Sequence, residues 1–431
     1  MATSFNGFGG FDSDFFAAYK HVYNPKRVQV LAYKNRPFFA KLAKKDMFEG
    51  DTYNHTVFFE DPQGGSATIA TAIAQKAGHS QGARFVINRG REYQAITLQN
   101  EAIRASRSDN GSLLRKKTHE TDRILNEMCR RIDIAVHGSG TGVIASFTTG
   151  ASVATTTITL DTPALGIRFS VGMFLQISST NPLDGTAPTL VNGGQVVKVL
   201  ARSVSAKLTT LTLDTSLSAV TGLATTTQYF LLRNGEGLGF GMNTPYGGVS
   251  GLRNWLPITA PVAGESFWGF DRSVDVQRLS GSRYVAANGE KMEATLQNCS
   301  AEMCLQGATP DLILMNPINI SNYSQELGSK VRYFQQDKGV TGLDTSAMIV
   351  RGQSGDMAVM SDPQVDPGRF YMLQSDTWWM PTLDAVPHMD EAAGLSALRE
   401  ATSDGIELRW RAWYNLVCDA PGLNLTGSFG Y

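Results

Sequence analysis

The stretch DTYNHTVFFE, residues 51–60, and its counterpart ARFVINRGREYQAITL, residues 83–98, decide how this chain is read. In the first, Tyr53, His55, Val57 and Phe59 alternate with Thr52, Asn54, Thr56 and Phe58. The second carries Phe85, Ile87, Tyr93 and Ile96. Alternation of period two predicts an outgoing and a returning strand, each with one apolar face. Between them, residues 63–82 place Gly64, Gly65, Gly78 and Gly82 among small side chains, too flexible for an interior element and too long for a hairpin turn. The result is a long two-stranded arm without a core. An isolated ribbon is marginal in water, so this one must lie on something else, either a neighbouring copy of the chain or its own domain.

Upstream, residues 1–49 open with a Gly/Phe-rich leader and continue through Phe15–Val22 and a basic stretch, Pro25–Lys45, punctuated by Pro37. This reads as an extended arm with one or two short helices. Downstream, Ser112–His137 carries Leu113, Leu114, Ile124, Leu125, Met128, Ile132, Ala135 and Val136 at helical spacing, with Ser112 as N-cap and Gly138 just past the end. Such a rod is roughly 39 Å long. Its basic residues Arg115, Lys116, Arg123, Arg130 and Arg131 are interleaved with Glu120, Asp122, Glu127 and Asp133, the pattern of a solvated or inter-subunit face and not of a nucleic-acid grip.

From Ser146 the chain turns Thr/Ala/Ser-rich, and short strands are predicted at Thr156–Leu160, Met173–Ser178, Gln195–Val204, Lys207–Leu213 and Tyr229–Arg233. Several strands in so short a span predict a small antiparallel barrel or sandwich inserted in a host domain. Further on, helices are predicted at Gly289–Gln306 and Pro317–Leu327 around a buried strand at Asp311–Met315. Strands follow at Arg369–Gln374, Thr377–Met380 and Gly405–Cys418, so the class is α+β.

Composition narrows the function. Charged residues are 18% of the 431, and 38 basic against 39 acidic residues give a net charge of −1. The basic signature of a protein that grips nucleic acid is missing, although a wall that merely encloses it would not need one. Low charge also implies that much nominal surface is covered by partners. The four cysteines lack CxxC spacing and the six histidines are scattered, so neither a disulfide framework nor a metal site is expected. No apolar run is long enough for a bilayer span and no signal peptide precedes the arm, so no membrane is expected and the chain should remain in the cytoplasm until assembled.

Candidate chemistry is thin. Gly235, Gly237, Gly239 and Gly241 follow a strand, but no helix N-terminus opens after them to hold a phosphate; Gly138–Gly142 lacks the lysine of a Walker loop and reads as a hinge. Asp362, Asp366, Asp384, Asp390 and Glu391 sit among Pro363, Pro367, Pro381 and Pro387 and read as solvated loop carboxylates. No nucleophile elbow occurs, so neither catalytic residues nor a cofactor are expected.

The order of N-terminal arm, long two-stranded loop, spine-like helix, mixed central domain and terminal strand after a Pro-rich loop resembles the major capsid proteins of tailed bacteriophages, the Hong Kong 97-type capsid fold family. Residues 46–105 resemble its extended loop, Ser112–His137 its spine helix, and Gly405–Cys418 with Pro421 its closing strand. The resemblance implies an arm at 1–49, the extended loop at 50–105, and spine helix and peripheral domain at 106–145. It further implies an inserted β-domain at 146–233, an axial domain at 234–365, and a return to the peripheral domain at 366–431.

It also implies pentamers and hexamers that close into an icosahedral shell around DNA, held without sequence-specific binding. Inter-subunit contacts would come from Tyr53, Val57, Phe59, Phe85, Ile87 and Tyr93 in the loop and from Phe11, Phe15, Phe16 and Tyr19 in the arm. Partners would be copies of the chain, a separate scaffolding protein, a portal protein and a decoration protein on the insertion, with assembly in the bacterial cytoplasm and residence in the virion. Lys76 is the lysine near the tip that could cross-link, as in some relatives, but no local motif marks a partner asparagine. Three other readings stand beside this one: an encapsulin nanocompartment shell, a polysaccharide-binding or adhesin β-module using Phe147, Phe169, Phe174, Tyr229 and Phe230, and a hydrolase with a convergent acid/base cluster.

Overall fold

The computed structural model describes residues 36–50, 52–75, 79–101, 116–181, 188–205, 207–235, 248–327, 333–334, 347–353, 355–389, 398–399 and 404–430. Phe11, Phe15, Phe16, Tyr19, Lys76, Asp390, Glu391 and the glycine run from Gly237 to Gly241 lie outside these residues. The chain divides into two compact units, one including Arg91–Asp133 and Asp384–Trp413, the other Arg36–Gly90, Ile134–Leu383 and Tyr414–Tyr431.

In the first unit the strand Gly405–Tyr414 is the organiser. His388–Met389, Leu398–Arg399 and Gly90–Gln99 all pair with it. Its buried residues Leu408, Trp410 and Ala412 alternate with Arg409, Arg411 and Trp413, as the sequence predicts. Asn100 ties the far end by donating from its backbone N–H to the Asp404 carbonyl and from Nδ2 to its carboxylate, 2.8 Å. The spine helix spans Lys116–His137 and buries Ile124, Met128, Ile132 and Val136, spaced four residues apart. Arg130 and Arg131 are not simply solvated: the first meets Glu127 at 3.0 Å and the second the buried Glu92 at 3.5 Å.

The second unit holds a seven-stranded mixed sheet in the order Ser282–Val285, Leu425–Ser428, Arg369–Leu373, Leu312–Met315, Asp356–Ser361, Ala347–Arg351, Tyr333–Phe334. It draws strands from both of the last two expected segments, 234–365 and 366–431. Met292, Leu296, Cys299 and Met303 of the helix Met292–Leu305 cover its face, packing with Ile313, Met315, Phe370, Met372 and Leu425. The helix Pro317–Leu327 adds Tyr323 and keeps the predicted bounds.

Residues 143–233 form a six-stranded antiparallel sheet in the order Val143–Thr148, Gln228–Arg233, Phe174–Ser178, Val197–Val204, Thr209–Leu213, Thr157–Thr159. A bridge between Phe147 and Leu160 brings the last strand back to the first and closes a small barrel. Its interior is its own: Phe147, Phe169, Leu175, Ile177, Val197, Val199, Leu211, Leu213 and Leu231 are all buried together. The strand Val143–Thr148 was not anticipated, because the apolar VIASF follows directly on the glycine turn and carries no alternation.

That turn is where the spine helix ends. Gly140 and Gly142 take φ of +80° and +76°, conformations that a side chain resists. Gly251 lies flat on the helix end, where a Cβ would come within 2.3 Å of the Val136 carbonyl. The predicted strand Gly405–Cys418 is split in two, Gly405–Tyr414 and Val417–Cys418. Asn415 makes the break: its side chain accepts from the backbone N–H of Ser250 at 3.0 Å and donates to the Asn88 carbonyl at 2.6 Å.

Candidate assembly surface

The two-stranded arm is an antiparallel ladder of Thr52–Glu60 with Gln81–Asn88, in which Tyr53 faces Ile87, His55 faces Phe85 and Val57 faces Ala83. The return leg is not one strand but two, since the chain changes partner at Arg89 and continues as Gly90–Gln99 on Gly405–Tyr414. Register places Tyr53, His55, Val57, Phe59, Ala83, Phe85 and Ile87 on one face and Thr52, Asn54, Thr56, Phe58 and Arg84 on the other.

The apolar face lies on the chain's own second unit. Phe85 is fully buried, with its ring edge-on to Trp255 at 5.6 Å, Phe267 at 5.8 Å and Phe270 at 6.0 Å. Phe59 meets Phe270 at 6.4 Å, and Tyr53 meets Trp379 at 5.6 Å. Edge-to-face aromatic pairs each add about 1 kcal/mol beyond burial, so this contact fixes the ribbon. Backbone bonds reinforce it: Val86 N–H donates to the Trp268 carbonyl at 2.9 Å, and the Arg278 guanidinium donates to the Phe59 carbonyl.

Beneath the rings, buried Arg272 lies 3.8 Å from the centroid of Phe267 and donates to the Asn254 carbonyl at 2.9 Å. Burial lowers its pKa to about 9, which Glu265 partly opposes. His55 Nε2 donates to the Cys418 carbonyl at 3.2 Å, and desolvation lowers its pKa although Asp419 and that carbonyl act in the opposite sense.

Thus Val57, Phe59, Phe85 and Ile87, expected as inter-subunit contacts, are covered within this chain, and Tyr53 is half-buried. What remains open is the other face and the tip. Phe58 is 72% exposed, and the short helix Ile69–Ala74 at the tip buries nothing, leaving Ile69 81% and Ile73 61% exposed. Tyr93, in the first unit, is also exposed, and its hydroxyl accepts from Trp413 Nε1 at 3.0 Å. The tip helix carries no sequence signal: three of the six residues of IATAIA are β-branched, and the segment is too short to register against the surrounding glycines.

Asp362 and Asp366 are not the solvated loop carboxylates that the sequence predicts. Asp362 is fully buried against His137, 3.3 Å from Nε2, and Asp366 receives Arg168 at 3.0 Å together with Arg253. Prolines do mark turns here, but the turns are folded inward, one onto His137 and the other onto Arg168 and Arg253. Burial alone would raise both carboxyl pKa values; His137 in one case and Arg168, Arg253 and Arg369 in the other hold them below the ordinary range. Asp384 does remain near the surface, paired with Arg411 at 3.2 Å.

Of the aromatic residues considered for a sugar-binding face, Phe147, Phe169, Tyr229 and Phe230 are interior and Phe174 alone is exposed. No helix among the described residues is long and apolar enough to cross a membrane.

No protein-family model matches the chain, and no curated protein does. Solved structures do. The capsid subunit of cyanophage A-1(L) matches with a TM-score of 0.51 at 11% identity, over 95% of this chain and 98% of that one. The capsid of a native GTA particle gives 0.47 at 9%, covering 95% of both chains. The SrpI encapsulin of Synechococcus elongatus PCC 7942 gives 0.46 at 7%, over 98% of this chain and 96% of the other. At such identity the likeness to the cyanophage subunit is one of fold, and the fold is the Hong Kong 97-type capsid fold with mixed helices and sheets.

Proposed function

We propose that this chain is the major capsid protein of a tailed bacteriophage, assembling through pentamers and hexamers into an icosahedral shell around double-stranded DNA. One observation carries the reading: the cyanophage capsid subunit is matched over 98% of its length by 95% of this chain. The surface supports it. A short helix with no buried residue and two exposed isoleucines, at the end of the ribbon, costs free energy in a free monomer and gains it on burial against another copy.

In this account the ribbon root is fixed on its own subunit, and contact with the neighbour passes to Phe58, Ile69, Ile73 and Tyr93. Shell stability is then a sum over many modest heterologous interfaces, a geometry that builds rings and, with curvature, closed shells. With a net charge of −1 the wall encloses DNA without reading it. A separate scaffolding protein, a portal and a decoration protein on the 143–233 barrel complete the assembly, which forms in the bacterial cytoplasm and ends in the virion; the protein has no catalytic task.

The test is to express the chain alone and with its neighbouring scaffold-like gene product and to image both by negative-stain electron microscopy. Hollow shells of uniform size, or rings of five and six, are expected. A monodisperse monomer under both conditions would overturn the reading.

A further inference from the structure

The root of the ribbon rests on a histidine as well as on aromatic rings. His55, only 7% exposed, turns from the strand Thr52–Glu60 onto the end of the strand Val417–Cys418. Its Nε2 lies 3.2 Å from the Cys418 carbonyl and 3.6 Å from Asp419 Oδ1. Tyr53 stacks on the imidazole at 6.1 Å between centroids, and Trp379 meets it edge-on at 6.4 Å. A carbonyl only accepts, so Nε2 carries the proton of the neutral ring and Nδ1 is the position that an added proton takes.

Each element packed on the ring brings its own groups. On the same strand, burial and Asp419 push the Tyr53 hydroxyl above its ordinary range. The closing segment brings the Cys418 thiol, which burial also pushes up, and the Asp419 carboxylate. That carboxylate has 49% of its side chain exposed and already accepts from Trp379 Nε1 at 2.7 Å. Lys45, on the strand Ala43–Asp46 that pairs with Trp378–Thr382, keeps its ammonium 4.8 Å from the Trp379 ring centroid. Across the ladder His55 faces Phe85, which does not titrate. Asp419 is the anion beside the ring among the described residues, and water screens it.

Neutral, His55 satisfies a buried carbonyl and completes the aromatic contact. Protonated, it places a full charge where water is excluded, beside a carboxylate too well solvated to offset the loss. We propose that His55 is a proton-operated latch: the neutral ring holds the ribbon root on Cys418 and Trp379, and an imidazolium releases it. Desolvation holds the docked ring below its ordinary titration range, against the opposing pull of Asp419 and the Cys418 carbonyl. A released histidine titrates near ~6.5, so docking has its full support above that pH and loses it as pH falls. The loss is up to about tenfold per pH unit, until the docked ring itself takes the proton. The latch belongs to the single subunit and stands whether or not copies assemble.

The test follows hydrogen–deuterium exchange by mass spectrometry in the full-length, unassembled protein at about pH 7.5 and about pH 5.5, corrected for the intrinsic pH dependence of exchange. Peptides from Thr52–Glu60 and Gln81–Asn88 should lose protection by up to about tenfold at the lower pH, while the barrel strand Val197–Val204 keeps its own. His55→Gln retains an N–H donor for the Cys418 carbonyl but takes up no proton, so its ribbon should be equally protected at both pH values. Asp419→Asn, which removes the opposing charge, should deepen the wild-type loss. A wild-type ribbon whose protection ignores pH, or an equal loss in His55→Gln, would overturn the proposal.

Should His55→Gln fail to fold, wild type decides by where and when protection is lost. Ribbon peptides that loosen near pH ~6 while the barrel strand holds support the latch. Ribbon and barrel loosening together, or a loss confined to the carboxylate range below about pH 5, refutes it. So does a loss confined to the helix Pro37–Lys41, whose Phe38 packs on His137 at 5.5 Å, because that assigns the response to the other histidine.

Discussion

The two-stranded arm and the 143–233 barrel are both antiparallel β-structure, yet they are stabilised in opposite ways. The barrel closes on itself and fills its interior with its own side chains, from Phe147 to Leu231. The arm has two strands and one apolar face, and borrows its core from Trp255, Phe267 and Phe270. A ribbon of this kind is rigid only as far as its platform reaches. Beyond this platform the tip helix buries none of its residues, and its isoleucines Ile69 and Ile73 stay in solvent. One element thus combines an anchored root with a free tip.

The comparison predicts a graded series of effects. Phe85→Ala should cost about 4 kcal/mol in chemical denaturation, near the upper range for a fully buried aromatic, because the void opens between ribbon and platform. Leu231→Ala in the barrel should cost about 3 kcal/mol through a separate core. Combined, the two losses should add; strong coupling between them would mean that arm and barrel are not independent.

Asp366→Asn comes next, at about 3 kcal/mol near neutral pH, since it leaves buried guanidiniums without their carboxylate. Its pH signature has a definite sign. The folded carboxyl titrates below its unfolded value of about 4, so its stabilisation is fully present above that pH and is lost as pH falls through the folded value. Denaturation midpoints measured from pH 6 downwards should therefore fall less steeply in Asp366→Asn than in wild type. A variant as acid-sensitive as wild type would remove Asp366 from the account.

A double-mutant cycle between Phe85 and Phe267 should return about 1 kcal/mol of coupling, the edge-to-face increment, and a value near zero would mean that the ribbon is held by its backbone bonds instead. Smallest of all, Ile73→Ser should shift monomer stability by no more than about 0.5 kcal/mol, because the side chain touches no core.

The barrel was legible in the sequence because its information is local. Alternating Val, Leu and Thr between Gly, Pro and Asn turns marks five of its six strands within a few residues of their observed bounds, and misses only Val143–Thr148. The arm's strands were legible for the same reason, but their support was not. Trp255, Phe267 and Phe270 lie far along the chain, in a stretch without periodicity, and meet Phe85 only once folded. The burial of Asp362 and Asp366 was hidden likewise: prolines announce turns, and nothing nearby announces His137, Arg168 or Arg253 as partners. Asn415 broke a strand whose alternation ran unbroken through it, because its partners Ser250 and Asn88 are distant.

The central claim is that the root holds the ribbon and the tip joins the copies. The most direct measurement compares wild type with the double substitution Ile69→Ser and Ile73→Ser, recording thermal melting of the unassembled protein and shell yield by electron microscopy on the same preparations. The account predicts melting temperatures that coincide and shells in wild type alone. Normal shells from the double variant, with melting unchanged, would contradict it.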